Sequence, residues 1–418
     1  MRKIFSAIDI GSDSIKIVVC ELFEKKLNVL SSIKYPSKGI KQGCVIDEEL
    51  VKETLKKAIK EINSSLGVNI DKVVINVPMY DSEFMVNDGS VTITNKEEIV
   101  TGNDMVNALQ TSIYNKIPKS RELVTIQPIK YKVDTVDQNI SSPRGLKAKN
   151  LSVTSMSMTV PKKNIYKIIM ILQELNIEVI DILFGILGDY FEFKNNETDK
   201  TVTGVINIGS DKTEVAVFKN GIIYNSKTLK IGSSRIDDDI SYIYNITNEQ
   251  AKKIKERFAL AHKDFASSSD IYEITNNSSI KTKINQLEVS EIVMSKTKEI
   301  LEIAEKSLND LTKKEISYII ITGGMVNMPG FDLLSKERYK EKTTVKPIKT
   351  IGIRDNSYSQ AIGMIKFFID KLNIRGKEYT MFDEDKQVGL IENRKNNISK
   401  NNSMFGRFFD YLFENKED

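Results

Sequence analysis

The stretch that decides the fold is A-I-D-I-G-S-D-S-I-K-I-V-V at residues 7–19, together with its partial repeat V-I-N-I-G-S-D-K-T-E-V-A-V at residues 205–217. In each copy an apolar run, an Ile-Gly-Ser-Asp turn and a second apolar run predict two strands joined by a tight turn. A third β-rich run follows each copy, and Asn220-Gly221 marks a hairpin in the second. Two copies of one meander predict two related domains that face each other.

The rest of the chain divides by periodicity. Helical spacing of apolar residues follows the first meander at residues 48–66, whereas residues 85–160 break the pattern with short strands around one helix. We therefore expect a small module inserted into the first domain. Residues 316–322 form an apolar strand pattern near the end of the second domain, and residues 375–403 lose periodicity and read as a flexible linker.

Composition excludes several classes of protein. The chain has 418 residues, 40% of them hydrophobic and 28% charged, and a net charge of +4, which argues against a nucleic-acid binder. With two cysteines (Cys20 and Cys44) and one histidine (His262), a disulfide framework, a zinc site and Ser-His-Asp catalysis are not expected. No signal peptide or membrane-spanning apolar run is visible, so we expect a cytoplasmic protein that is not integral to the membrane.

The first glycine turn carries candidate chemistry. Gly11 and Ser12 would let backbone N–H groups approach phosphate oxygens, and Asp9 could hold a hydrated Mg²⁺. Lys16, on the outgoing strand, could reach a β-phosphate as a point charge. Taken alone, the pattern also fits a tight hairpin with a solvated aspartate.

Recurrence of the turn at Gly209-Ser210-Asp211 favours the phosphate interpretation, because two facing glycine turns can hold a polyphosphate from both sides. A third element is the apolar strand before Gly323-Gly324, where backbone could come close to a flat ligand such as adenine. Taken alone, it is also typical of a strand-to-helix turn.

The three elements, in this order and spacing, resemble the actin/Hsp70/sugar-kinase superfamily. Within it the chain resembles the FtsA family of bacterial cell-division proteins over essentially its whole length. The resemblance is carried by Tyr35-Pro36-Ser37-Lys38-Gly39-Ile40 with Gly43-x-Val45-Ile46-Asp47, Ile126-Gln127-Pro128 with Tyr131-x-Val133-Asp134, Pro143-x-Gly145-Leu146, Ile231-Gly232-Ser233 with Asp239-Ile240, Ile321-Thr322-Gly323-Gly324, and Tyr358-Ser359-x-Ala361-Ile362-Gly363.

The resemblance implies an α/β protein with the two-lobed actin-like ATPase fold. Its duplicated β-meander and helix domains would carry a small inserted α+β domain and, on a flexible linker, a C-terminal amphipathic helix. The expected domains are a first lobe (1–84 and 163–194), an inserted domain (85–162), a second-lobe core (195–230 and 311–374), a small second-lobe subdomain (231–310), the linker (375–402) and the helix (403–418).

The resemblance also implies that ATP and Mg²⁺ are the cofactors. Asp9 and the Gly11-Ser12 turn would serve Mg²⁺, through water, and phosphate. The other expected nucleotide-binding residues are Lys16, Gly209 and Ser210 in the phosphate site, Gly323 and Gly324 as the adenosine floor, and Lys255.

Two departures from the family pattern bear on catalysis. In FtsA-like proteins the second glycine turn usually begins with Asp-Ile-Gly-Gly-Gly-Thr. In this chain the same stretch is Asn207-Ile208-Gly209-Ser210-Asp211-Lys212. Added side chains crowd the approach to phosphate, and Asp211 would repel phosphate unless Mg²⁺ or Lys212 compensates. Lys252 stands where the family tends to have a ribose-binding glutamate. We expect nucleotide binding with at most weak hydrolysis, and no confident catalytic residue.

The C-terminal segment has the pattern of an amphipathic helix. Its apolar residues recur with helical spacing on one face: Phe405, Phe408, Phe409, Leu412 and Phe413. Such a helix could pack on its own protein or in a partner's groove, but its place after a polar linker favours an external target. Members of the family end in a membrane-binding helix. Residues 410–418 carry four acidic side chains and one lysine, so we expect lipid binding to be mainly hydrophobic.

By this resemblance, the chain is expected to self-assemble and to tether FtsZ to the inner membrane at the division site, from the cytoplasmic side. The expected partners are FtsZ, further copies of the chain, membrane lipid and other division proteins. Three alternatives remain: a pilus-biogenesis type of actin-like protein, a pseudo-ATPase scaffold, and a small-molecule kinase, for which no convincing base is found.

Overall fold

The computed structural model describes residues 2–345 and 347–390. The strands, in chain order, are β1 (Lys3–Ile10), β2 (Ser14–Phe23), β3 (Lys26–Pro36), β4 (Ile40–Lys41), β5 (Cys44–Val45), β6 (Lys72–Val77), β7 (Glu83–Thr92), β8 (Arg121–Val133), β9 (Val136–Ile140), β10 (Asn150–Pro161), β11 (Glu178–Phe184), β12 (Val202–Ile208), β13 (Thr213–Lys219), β14 (Ile222–Leu229), β15 (Ile271–Thr275), β16 (Lys281–Asn285), β17 (Tyr318–Thr322) and β18 (Thr343–Thr344).

The helices have the following bounds: α1 (Glu48–Leu66), α2 (Gly102–Ile113), α3 (Tyr166–Glu174), α4 (Gly185–Phe193), α5 (Ser234–Tyr244), α6 (Asn248–Arg257), α7 (Gln286–Asp310), α8 (Phe331–Tyr339) and α9 (Ser359–Arg375). Across the described residues, no helix combines the length and the apolar character that crossing a membrane requires.

The first lobe is built on a five-stranded sheet in the order β11-β6-β1-β2-β3. β1 and β2 form an antiparallel hairpin, while β6 runs parallel to β1 and β11 parallel to β6. β1 and β2 are buried along almost their whole length, which is typical of strands covered on both faces. Helix α1 packs against β2 and β3, and α9 packs against β1, β2 and β6.

The second lobe repeats this plan. Its sheet has the order β14-β13-β12-β17-β18, in which β12 and β13 form the antiparallel hairpin and β17 runs parallel to β12. Each strand of the first sheet therefore has a counterpart at the same place in the second. The prediction of two related domains from the repeated Ile-Gly-Ser-Asp is confirmed.

The inserted module is a second α+β unit with its own core. Its sheet has the order β7-β10-β8-β9, and α2 covers one face. Gly89 lets the helix lie directly on the strand, because a Cβ there would overlap the backbone of Ala108 and Ser112. The module also contacts the second lobe, where the buried side-chain oxygen of Gln127 accepts a hydrogen bond from Ile223 N at 3.2 Å.

Helices α4 and α9 connect the lobes and cross each other closely. A Cβ on Gly363 of α9 would overlap the backbone of Gly188 on α4, and one on Gly185 would overlap the side chain of Gln360. The chain leaves the first sheet through α4 and returns to it through α9.

The predicted linker does not begin at residue 375. Met381 and Phe382 are buried, and Met381 N donates to Ile4 O at 2.8 Å. Lys386 then pairs with Asp71 at 2.6 Å, and residues 384–390 are helical. Two apolar residues in a polar stretch give no periodicity, so sequence alone did not reveal this packing. Residues 391–402 of the predicted linker lie outside the described residues.

Candidate functional site

The two glycine turns adopt the same geometry. Gly11 N donates to Ser14 O at 3.2 Å, and Gly209 N donates to Lys212 O at 3.0 Å. A Cβ would lie 2.8 Å from Ser14 O at the first position and 2.9 Å from Lys212 O at the second. Since real Cβ atoms do not approach this closely, both turns depend on glycine.

The turns lie on opposite sides of a cleft between the lobes, and the short β4–β5 turn spans them. Gly43 N donates to Ser12 Oγ at 3.0 Å on one side, and Gln42 N donates to Asp211 Oδ2 at 3.4 Å on the other. Gln42 and Gly43 both have positive φ, as a tight turn of this kind requires. The β4–β5 turn thus holds the two lobes together at the cleft.

The cleft encloses a cavity of about 90 Å³. Pockets that hold small molecules usually measure about 300–1,000 Å³, so the lobes are closed in this structure and must separate to admit a large ligand. The cavity brings together nearly all the predicted site residues. Its lining is Asp9, Ile10, Gly11, Ser12, Asp13, Ser14, Lys16, Asn76, Asn207, Gly209, Ser210, Asp211, Lys212, Glu214, Gly323, Gly324, Ser357 and Gln360.

Asp9 is buried and held from two sides. Its Oδ2 accepts from Lys16 Nζ at 2.9 Å and its Oδ1 from Asn76 Nδ2 at 2.6 Å, while Asn76 Oδ1 accepts from Ile10 N at 2.7 Å. Each carboxylate oxygen keeps a further lone pair. Asp9 can therefore accept from a metal-bound water without losing Lys16 or Asn76.

No cluster of three or more His, Cys, Asp or Glu suited to a metal comes together within residues 2–345 and 347–390. Mg²⁺ does not require such a cluster, because it keeps several waters and is commonly held by one or two carboxylates plus substrate phosphates. Three of the carboxylates that line the cleft, those of Asp9, Asp13 and Asp211, are oxygen ligands of the type Mg²⁺ prefers.

Beneath the second turn lies a buried carboxylate that the sequence analysis missed. Asp189 on α4 accepts from Ser359 Oγ at 2.5 Å, Asn207 Nδ2 at 2.7 Å and Gln360 Nε2 at 3.1 Å. Burial raises the pKa of Asp189 to about 7, although these three donors oppose the shift. No local pattern pointed to Asp189, because it lies 18 residues from Asn207 in the sequence.

Lys212 does not point at a free phosphate position in this closed state. Its Nζ pairs with the buried Glu214 at 2.5 Å, and Glu214 Oε2 also accepts from Gln360 Nε2 at 3.5 Å. Asp211 is occupied by the bond from Gln42 N. The carboxylate of Asp211 and the ammonium of Lys212 thus have separate partners rather than compensating each other.

Gly323 is the first residue of the turn after β17, and its φ is 99°. A Cβ at this position would overlap the backbone of Ile208, so the turn after β17 lies directly against the end of β12. Gly324 follows, with only Ser357 Cβ as close as 4.0 Å to an added Cβ. Gly324 therefore leaves open backbone beside the cavity, whereas Gly323 packs against β12.

Lys255 does not reach the cavity lining. Its Nζ pairs with the buried Asp237 at 2.8 Å and donates to Ser233 O at 3.2 Å, so it fixes α6 to α5. Lys252, one turn earlier on α6, instead crosses between the lobes and pairs with Asp13. The predicted membrane residues Phe405, Phe408, Phe409, Leu412 and Phe413 lie outside the described residues.

Solved structures share the fold. The chain aligns with a type IV pilus biogenesis complex, PilM-PilN, at a TM-score of 0.58 and 12% identity, covering 89% of this chain and 98% of that one. It aligns with MreB5 of Spiroplasma citri bound to ADP at a TM-score of 0.54 and 13% identity, covering 90% and 99%. The two lobes and their facing turns therefore define an actin-like protein.

Sequence comparison narrows the class. A family model described as cell division protein FtsA matches residues 204–363, and one described as the SHS2 domain inserted in FtsA matches residues 82–159. Cell division protein FtsA of Bacillus subtilis strain 168 is 24% identical, covering 90% of this chain and 86% of the relative. That of Staphylococcus epidermidis strain RP62A is 26% identical, covering 95% and 86%. The chain belongs to the FtsA family of cell-division proteins.

Proposed function

We propose that this chain binds ATP with Mg²⁺ between its lobes, self-assembles in the manner of actin, and anchors FtsZ to the cytoplasmic membrane through its C-terminal segment. The observation that carries the nucleotide part is the pair of glycine turns with matching geometry on opposite sides of one cleft. The MreB5 structure of the same fold is bound to ADP, which supports a nucleotide as the ligand.

In this proposal the phosphates lie between the two turns. Backbone N–H groups that follow the two glycines, at Ser12 and Ser210, donate to phosphate oxygens, and Lys16 neutralises charge from beside Asp9. When bound, Mg²⁺ screens the phosphate charge, and Asp9 holds it through water. The adenosine rests against the turn at Gly323-Gly324, where the backbone of Gly324 is open.

Hydrolysis is proposed to be weak, which keeps a nucleotide-binding pseudo-ATPase scaffold as the second candidate. A general base must be within reach of the attacking water and free to take its proton. Asp9 pairs with Lys16, Glu214 pairs with Lys212, and Asp189 lies buried below the turn under three donors. Each of these three carboxylates is committed to another partner. The other two carboxylates that line the cavity also have partners, because Asp13 pairs with Lys252 and Asp211 accepts from Gln42 N.

The proposal of membrane binding is supported by the sequence pattern of residues 403–415 and by the membership of the chain in the FtsA family. Five apolar side chains on one helical face would gain about 7–15 kcal/mol if all were fully buried, before the costs of ordering and of lost motion. One copy therefore binds lipid modestly. Assembly into a polymer strengthens the attachment, because neighbouring copies engage the same membrane.

Calorimetric titration of the full chain with ATP and Mg²⁺ tests the nucleotide proposal. Lys16→Met removes a cation beside the phosphates and should weaken ATP binding by about tenfold or more. Lys56→Met, on the exposed face of α1, is the matched control and should bind as the wild type does. Absence of ATP binding to the wild type would overturn the proposal.

A further inference from the structure

Lys252 joins the two lobes beside the first glycine turn. It lies on α6 of the second lobe, and its ammonium group pairs with Asp13 in the first glycine turn, between Ser12 and Ser14. It therefore reaches a turn whose residues line the cavity. The sequence gives Lys252 no phosphate role, since its position corresponds to an acidic residue of the family.

The partner of Lys252 differs from the partners of the other lysines at the cleft. Within the described residues, Lys16, Lys212 and Lys255 each pair with a carboxylate whose side chain is less than 9% exposed. Asp13 is 34% exposed and Lys252 is 36% exposed. A pair this open to solvent is weak and readily exchanges one partner, whereas the buried pairs do not.

The position of Lys252 is fixed by its own helix. Lys255, one turn further along α6, is buried in its ion pair with Asp237 and anchors the helix to α5. The capping box formed by Thr247 and Gln250 fixes the start of α6. Lys252 is therefore held beside the first glycine turn, with Glu256 at 4.0 Å as a second partner, and only its flexible side chain has to move.

We propose that Lys252 is a phosphate ligand that exchanges Asp13 for the outer phosphates of a bound polyphosphate, so that the cleft distinguishes nucleotides by phosphate number. This deepens the proposed function and rests on it. A phosphate group carries more negative charge and more acceptor oxygens than a carboxylate, so it competes well for the ammonium. Asp13, once released, joins Asp9 as an acceptor for the waters around Mg²⁺.

The exchange also links ligand binding to lobe position. In this structure Lys252 joins the lobes through Asp13, and with a polyphosphate bound it would join them through the phosphate. A nucleoside monophosphate is too short to make that second connection. Lys252 then increases the affinity of the chain only for a nucleoside di- or triphosphate.

Calorimetric titration of the full chain with ATP, ADP and AMP, each with Mg²⁺, tests this inference. Lys252→Gln should weaken ATP binding by about tenfold or more and leave AMP binding within about twofold, because only the longer ligand reaches the ammonium. Lys252→Arg keeps the charge and should restore most of the ATP affinity. Lys253→Gln is the matched control, since Lys253 is the next residue and pairs with Glu249 on the same helix.

An unchanged ratio of ATP to AMP affinity in Lys252→Gln would overturn this inference while leaving nucleotide binding in place. A uniform gain in affinity for all three nucleotides would also overturn it, because Lys252 would then only hold the cleft shut. Absence of ATP binding to the wild type would overturn both this inference and the proposed function. Thermal unfolding of each variant identifies any loss of affinity that comes from misfolding.

Discussion

Asn207 donates its side-chain amide to the buried carboxylate of Asp189 at 2.7 Å, and this contact joins the second glycine turn to helix α4. The amide at position 207 is the complement of an acid placed beneath it. An aspartate at 207 would put two carboxylates within hydrogen-bonding distance in a buried site. The departure from the family pattern is thus matched by Asp189 on α4, where the chain crosses between lobes.

Replacement of Asn207 by aspartate should destabilise the protein. Asp189 would lose a donor and gain a buried like charge, at a cost of about 3 kcal/mol. Urea unfolding followed by circular dichroism measures the change in the free energy of unfolding. Asn277→Asp, on an exposed loop, is the control and should change it by less than about 0.5 kcal/mol. Equal stability of the two variants would contradict the proposed role of Asn207.

Asp189 should make the folded state more stable at low pH. Its pKa is raised from 3.8 to about 7 in the fold, so the folded protein holds the proton more tightly than the unfolded chain does. The stabilisation is fully present below pH 3.8 and is lost as the pH rises to about 7. Between pH 5 and pH 7 the loss should be about 2–3 kcal/mol.

Asp189→Asn removes this titration, so its free energy of unfolding should depend less on pH between 5 and 7 than that of the wild type. Asp310→Asn, at the exposed end of α7, is the matched control and should keep the wild-type dependence. Urea unfolding at several pH values measures the difference. The same pH dependence in Asp189→Asn and wild type would exclude Asp189 as the titrating group.

The sequence predicted the parts of this protein that depend on local pattern. The repeated Ile-Gly-Ser-Asp located both glycine turns, and hydrophobic periodicity located α1 and the inserted module. Asp189, Asn76 and Gln360 were missed because each is far in sequence from the turn it supports. The crossing of α4 and α9 brings Asp189 and Gln360 together, and the parallel pairing of β6 with β1 places Asn76 beside Asp9.

Two predictions failed for a related reason. Lys255 follows the family spacing, but its side chain turns towards Asp237 because that buried carboxylate lies one helix away. Residues 376–390 have a polar composition, yet Met381 and Phe382 find a place against the first lobe. Charge pairing and packing between distant segments are decided by tertiary structure, which the local pattern does not contain.

The C-terminal segment should bind lipid through its aromatic face. Full-length protein should pellet with liposomes, whereas a protein ending at residue 402 should stay largely in the supernatant. Phe408→Asp should behave like the truncated protein, because a charge on the apolar face opposes burial in lipid. Tyr114→Asp, which changes an exposed aromatic of the inserted module, is the control. Equal pelleting of the full-length and truncated proteins, with and without FtsZ, would remove the membrane-anchor hypothesis.

Hydrogen–deuterium exchange with and without ATP and Mg²⁺ tests the central claim most directly, because it reports on both turns in one experiment. We predict slower exchange at residues 10–14, 208–213 and 323–325, and unchanged exchange in the distant β15–β16 hairpin. Protection of both turns together is the signature of a ligand held between the lobes. Protection of neither turn, or of only one, would contradict it.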